Sequence, residues 1–97
     1  MKKIKFQWDI GNKFKSVIKH GITNIEAESM FYDENLVIFS DEKHSNTEIR
    51  YICIGKSIFD RILFSSFTFR NSKIRVIGTR PANKKNKANY YDYQTRK

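Results

Sequence analysis

The chain has 97 residues, 39% of them apolar and 14% aromatic, a composition that suits one small domain with a modest core and excludes a disordered tail protein. Its formal charge of +9 is unevenly spread: residues 1–48 carry seven Lys/Arg against eight Asp/Glu, a balance of −1, and residues 49–97 carry twelve against two, a balance of +10. Such asymmetry points to a polyanion or an acidic partner, RNA first, with a merely solvated basic face as the alternative.

No apolar run approaches the roughly eighteen residues needed to span a bilayer. Gln7, Trp8 and Asp9 interrupt the place where the apolar core of a signal peptide would run. The lone Cys53, between Ile52 and Ile54, forms no intrachain disulfide and reads as a core residue of a reducing compartment, so a cytoplasmic location and no membrane contact are expected.

In chain order, Lys5 to Trp8 read as a short extended lead-in. Ile10, Phe14, Val17 and Ile18 then fall on one helical face, which predicts a helix over residues 10–20 with that stripe as its buried side. Asp9 suits its N-cap, Lys19 and His20 suit its last turn, and Gly21 suits its left-handed stop. Thr23 followed by Glu26 has the form of a capping box, ahead of a second short helix that buries Ala27, Met30 and Phe31 and ends near Tyr32. Strands are expected at Leu36–Phe39 and Ile49–Ile54, joined through a polar loop at residues 40–47.

Arg61–Arg70 and Lys73–Thr79, joined by Asn71-Ser72, predict an antiparallel hairpin with a two-residue turn. Pro81 ends further ladder pairing at its own position, and residues 83–93 suit a C-terminal helix. The order β-α-α-β-β-β-β-α describes a single α+β domain over residues 1–97 with a mostly antiparallel sheet, residues 92–97 being a flexible basic tail.

With that turn, Arg70 faces Lys73, Thr68 faces Arg75 and Ser66 faces Ile77. Leu63, Phe67, Phe69, Ile74 and Val76 form the core side, and Thr68, Arg70, Lys73 and Arg75 stand exposed together. Like charges opposite one another on a ladder repel, and a bound phosphate would relieve them. Arg80 falls on the core side unless a bulge at Gly78 turns it toward Arg75, and the bulge is the favoured reading.

His20 suits either acid–base chemistry and phosphate contact or, more simply, a helix C-terminus; His44 reads as an exposed loop residue. One Cys and two separated His give no metal-ligand spacing, so no metal or cofactor is expected. No phosphate-cradling Gly-rich loop, dinucleotide fingerprint or Ser nucleophile elbow is present. Tyr90, Tyr91 and Tyr93 beside Lys84, Lys85 and Lys87 suit base stacking with backbone contacts, or equally aromatics docked on the core.

Several segments, in this order, resemble the BrnT family of toxins from bacterial type II toxin-antitoxin modules. They are Phe6-Gln7-Trp8-Asp9, Lys19-His20-Gly21-Ile22 with Glu26-Ala27, Asp41 to Ser45, Glu48-Ile49-Arg50-Tyr51 and Ile54-Gly55. Further on come Arg61, Thr68-Phe69-Arg70, Ile74-Arg75-Val76-Ile77, Arg80-Pro81-Ala82, and Lys84-Lys85 with Tyr90.

The resemblance implies a RelE-like fold and a metal-independent endoribonuclease that inhibits translation. It also implies a BrnA-like antitoxin with a ribbon-helix-helix DNA-binding region, joined to the toxin in a heterotetramer that represses its own operon and meets DNA only through the antitoxin. RNA, free or on the ribosome, is the implied substrate. By resemblance and by the hairpin reading the catalytic candidates are His20, Arg75, Arg80 and Tyr90, with Lys19, Arg50, Arg70, Lys84 and Lys85 holding RNA.

The sequence departs from the family pattern at Asn12, where Lys is common, at Ser16, where Asn is common, and at Gly78-Thr79, where Ser-Ala often stands. Asn86 replaces a usual Glu, removing either a salt bridge to a site arginine or a proton acceptor. Two other readings share the basic half: a noncatalytic RNA- or DNA-binding module, and an inactive homologue that only binds the antitoxin.

Overall fold

The computed structural model describes residues 3–44 and 46–95, so Ser45 of the polar loop and the last two residues of the expected tail lie outside the described residues. Four antiparallel strands, β1 (Val37–Ser40), β2 (Arg50–Lys56), β3 (Ile62–Arg70) and β4 (Lys73–Pro81), pair in sequence order as a meander. Three helices accompany them: α1 (Lys15–His20), α2 (Asn24–Met30) and α3 (Lys84–Thr95). The chain is a small α+β domain of the expected class, and α3 takes in Asp92 to Thr95, which had been expected in the tail.

The β3–β4 hairpin turns on Asn71 and Ser72, both in the left-handed region at φ 53° and 63°, and Arg70 pairs with Lys73 as expected. A mirror-image two-residue turn of this kind matches the twist of its flanking strands. The register then shifts between Ser66 and Phe67: Phe67 faces Val76 but Ser66 faces Gly78, leaving Ile77 as the extra residue. The bulge expected at Gly78 is therefore present, and Ser66 does not face Ile77. Beyond it Arg80 pairs with Phe64 and points to the same side of the sheet as Arg75, which pairs with Thr68.

The two sides of the sheet carry separate cores. On one, Cys53, Leu63, Phe67 and Val76 pack beneath Ile22 and the α2 residues Ala27 and Met30, with Phe31 following. On the other, Val37, Ile54 and Ile62 pack against Ala82 and Tyr90 of the C-terminal segment, flanked by Phe39 and Phe64. Two expected positions differ. Thr68 is buried because its hydroxyl donates to the Ile49 carbonyl oxygen at 2.7 Å, and Phe69, although on the core side, is 56% exposed at the rim where α2 no longer covers the sheet.

The largest departure is α1. Residues 10–14 form turns closed on Asp9, whose carbonyl accepts from Asn12 and Lys13 N–H and whose carboxylate accepts from Gly11 N–H; the regular helix starts only at Lys15. Gly21 ends it in the left-handed region at φ 69°, as expected. The expected inner stripe faces outward, Ile10 and Ile18 being 92% and 81% exposed.

Asn12 and Ser16 are the buried residues instead, and both are tied to the unpaired edge of β4. Asn12 Nδ2 donates to Val76 O at 2.8 Å and to Gln7 O at 3.0 Å, and Ser16 Oγ accepts from Thr79 N–H at 2.8 Å. Phe6 adds a parallel bridge to Ile74 on the same edge. An uncovered sheet edge is costly to bury and prone to pairing with other chains, so polar side chains that satisfy it outcompete an apolar stripe for the inward position.

Candidate functional site

α2 closes one side of the sheet, whereas α3 covers only part of the other. Between α1 and the 3-10 turn at Glu42–His44 that side stays open as a groove, floored by Phe64, Ser66 and, toward β2, Ile52. Lys15, Lys19 and His20 line its α1 wall, with Arg80 at one end. Asp41, His44 and Arg50 line the opposite part, and Lys15, Phe64 and Ser66 are common to both.

Arg80 is held flat. Its guanidinium lies 4.0 Å over the Phe64 ring, and Nη1 donates to Pro81 O at 3.1 Å and to Asn86 Oδ1 at 3.0 Å. Asn86 is itself fixed, because its Oδ1 accepts from Asn83 N–H while its own N–H donates to Asn83 Oδ1 at the start of α3. The departure at position 86 thus keeps the contact to the arginine and removes the countercharge.

His44 is oriented in the same manner from the other wall. Its Nδ1 lies 3.0 Å and 3.1 Å from the two carboxylate oxygens of Asp41, so with an ionised carboxylate Nδ1 carries the proton and Nε2 stays available.

Three arginines away from the groove are neutralised within the molecule. Arg70 at the hairpin end donates to Glu48 at 3.2 Å. Arg75 donates through both Nη atoms to Asp9 at 2.7 Å and 3.0 Å, a bidentate bond that holds the Asp9 carboxyl below its usual range and raises Arg75 further. The approach is close enough that a Cβ on Gly11 would come within 2.9 Å of Arg75 Nη2. The repulsion expected along the hairpin is therefore answered by Glu48 and Asp9.

On the far side Arg61 grips Glu26 with two 2.6 Å bonds. Those bonds hold the carboxyl below its ordinary range against the opposing effect of burial, with the Ser57 hydroxyl adding to them. Among the described residues, Lys15, Lys19 and Arg80 have no carboxylate within salt-bridge distance. These three cations meet in the groove without a countercharge.

The expected residues separate accordingly. His20, Lys19, Arg50 and Arg80 come together in the groove; Lys84 and Lys85 open α3 on the turn that carries Asn86. Arg70 and Arg75 stand toward the hairpin end in ion pairs. Tyr90 is buried, and its hydroxyl donates to Asp33 at 2.7 Å; burial and that carboxylate together push the phenol far up, so it anchors α3 rather than facing the groove.

Two groove residues had escaped the sequence reading. Lys15 had no distinguishing mark, but the spacing Asp41-x-x-His44 was a local sign that an imidazole is held by a carboxylate. Among the described residues no group of three or more His, Cys, Asp or Glu stands together as a metal-binding set, and no helix is long and apolar enough to cross a membrane.

No curated protein matches the chain. A family model described as the ribonuclease toxin BrnT of type II toxin-antitoxin systems matches residues 8–86, a span that opens just before Asp9, takes in both groove walls and closes on Asn86. With the match covering most of the chain, from Trp8 into the first turn of α3, the protein belongs to the BrnT family of ribonuclease toxins, and an antitoxin is its partner.

Proposed function

We propose that this chain is a metal-independent endoribonuclease that cuts RNA laid across the groove and so inhibits translation in the cytoplasm. A ribbon-helix-helix, BrnA-like antitoxin silences it in a heterotetramer that represses their operon. The observation that carries the reading is the charge distribution: Lys15, Lys19 and Arg80 face the groove without carboxylate partners, while Arg61, Arg70 and Arg75 are neutralised away from it. A phosphodiester supplies the countercharge that the fold withholds. A RelE-like description of the fold accords with a four-stranded antiparallel sheet flanked by helices.

The chemistry is transesterification. The 2′-oxygen attacks the adjacent phosphorus, the bond from phosphorus to the 5′-oxygen breaks, and a 2′,3′-cyclic phosphate and a 5′-hydroxyl result. His44, with Nδ1 held by Asp41, accepts the 2′-proton at Nε2, and His20 on the facing wall gives a proton to the departing 5′-oxygen. Arg80 stabilises the anionic phosphorus centre, and its stacked, doubly bonded guanidinium needs little rearrangement to do so.

Lys15, Lys19 and Arg50 align the backbone, with Lys84 and Lys85 extending the path past Arg80. Arg75 acts through Asp9 by fixing the start of the α1 segment, and Tyr90 acts through Asp33 by fixing α3.

The test is incubation of the antitoxin-free chain with RNA in excess EDTA. Fragments ending in 2′,3′-cyclic phosphate, lost with His44→Ala and His20→Ala in folded protein, support the mechanism. Intact RNA, or cleavage that EDTA stops, refutes it.

A further inference from the structure

Segment 10–20 folds with its polarity reversed. Val17 and Ile18 lie on the outer face of α1, with Phe14 at its N-cap and Ile10 in the turn that leads into it. They are 38%, 81%, 53% and 92% exposed respectively. Single exposed apolar side chains are ordinary on a protein surface, but a run of them on one helical face marks a contact surface.

The exposure is built in. Turning the helix to bury this face would break the bonds from Asn12 to Val76 O and from Thr79 N–H to Ser16, stranding polar groups on the β4 edge. The stripe therefore cannot be relieved from within the chain.

The rim of the stripe says what covers it. Lys13, Lys15 and Lys19 interleave with the apolar residues, and no Asp or Glu occurs between positions 10 and 20. A second copy of the chain would bring the same three lysines and another +9 to the contact, so self-association is opposed. We propose that the outer face of α1 receives an amphipathic segment of the antitoxin, with apolar side chains seated on Phe14, Val17 and Ile18 and flanking carboxylates on the lysines.

This goes beyond the groove chemistry and rests only on family membership, which supplies the antitoxin. Lys15, Lys19 and His20 project from the same short helix into the groove. A segment lying on its outer face stands at the lip of the groove, where its carboxylates take up Lys15 and Lys19 and so compete with RNA.

The test measures affinity for the antitoxin encoded beside this chain, using wild type, Ile10→Lys, Ile18→Lys and Lys13→Glu. Ile38→Lys serves as a control: Ile38 is exposed on β1, at the opposite edge of the sheet from β4. Ile18→Lys is expected to weaken binding about tenfold or more, as loss of an anchoring apolar contact does. Lys13→Glu should weaken it less and in a salt-dependent way, and Ile38→Lys should leave it unchanged. All variants should retain the wild-type melting temperature and RNA cleavage.

Unchanged antitoxin affinity in both Ile10→Lys and Ile18→Lys overturns the proposal. So does a concentration-dependent dimer of the free chain that Ile18→Lys dissolves. Affinity is read without reference to RNA, so loss of cleavage in every protein would remove the ribonuclease mechanism and leave this inference standing.

Discussion

Arg75 and Arg80 lie on the same strand and the same side of the sheet, yet they are held in opposite ways. Arg75 is capped by both oxygens of Asp9, with only 13% of its side chain exposed, so its charge is spent on fixing a turn. Arg80 is held by an aromatic face, a backbone carbonyl and a neutral amide, none of which cancels its charge. A carboxylate partner yields a rigid but electrically quiet arginine, whereas neutral acceptors yield one that is rigid and still charged. Only the second arrangement suits an incoming phosphate.

Removing the charge at each end separates the roles most sharply. Arg80→Ala should lower the rate of RNA cleavage by about 10²–10³-fold, the scale for loss of one preorganised transition-state donor, with little change in melting temperature. Arg75→Ala should instead lower the melting temperature and reduce cleavage in parallel with unfolding, so calorimetry beside a cleavage assay distinguishes the two.

The buried pair extends the contrast. Glu26 is 2% exposed while Arg61 is 45% exposed. Arg61→Met strands a buried carboxylate and should cost about 2–3 kcal/mol at pH 7, at the low end for such pairs because the arginine is half in solvent.

Arg61 holds the Glu26 carboxyl low, and at Asp33 the Tyr90, Lys56 and Asn35 donors outweigh burial to the same effect. The unfolded chain therefore takes up these protons first. Wild-type stability should be full above the ordinary carboxyl range of the unfolded chain, about pH 5, and be lost as pH falls through that range and then through the lower folded values. The deficit of Arg61→Met should shrink over that interval as Glu26 protonates. Urea titrations from pH 7 to pH 3 check both.

The smallest effect is the most diagnostic of where RNA lies. Lys15→Ala should reduce the magnitude of the salt slope of RNA binding by about 0.7, the value for one phosphate contact on a single strand, and Arg70→Ala, already paired with Glu48, should leave it unchanged. Equal changes in both would place the RNA along the hairpin and not in the groove.

What was legible in the sequence was what local rules govern. Asn71-Ser72 announces its turn, Gly21 its helix stop and Thr23 its cap, and each depends only on neighbouring residues. Arg75 and Arg80 were indistinguishable because what separates them is distant in sequence: Asp9 lies 66 positions from Arg75, and the Asp33 that ties down Tyr90 lies 57 positions away.

The α1 stripe was misread for a different reason. A helical period reports that one face is apolar, but it does not report which way that face looks, and here the hydrogen-bonding demand of a strand edge decided it.

The extra residue in β4 makes the placement of Arg80 a question of parity. With Ile77 taken up by the bulge, Arg80 stands opposite Phe64 and faces the same side of the sheet as Arg75. Were the strand to run at its present length without the bulge, Arg80 would fall opposite Leu63 and its guanidinium would swing from the groove to the layer under α2. Deleting Ile77 would instead leave a regular ladder with Arg80 still opposite Phe64, so the side on which the arginine stands depends on the bulge being kept or cleanly removed, and substitutions elsewhere along β4 leave it unchanged.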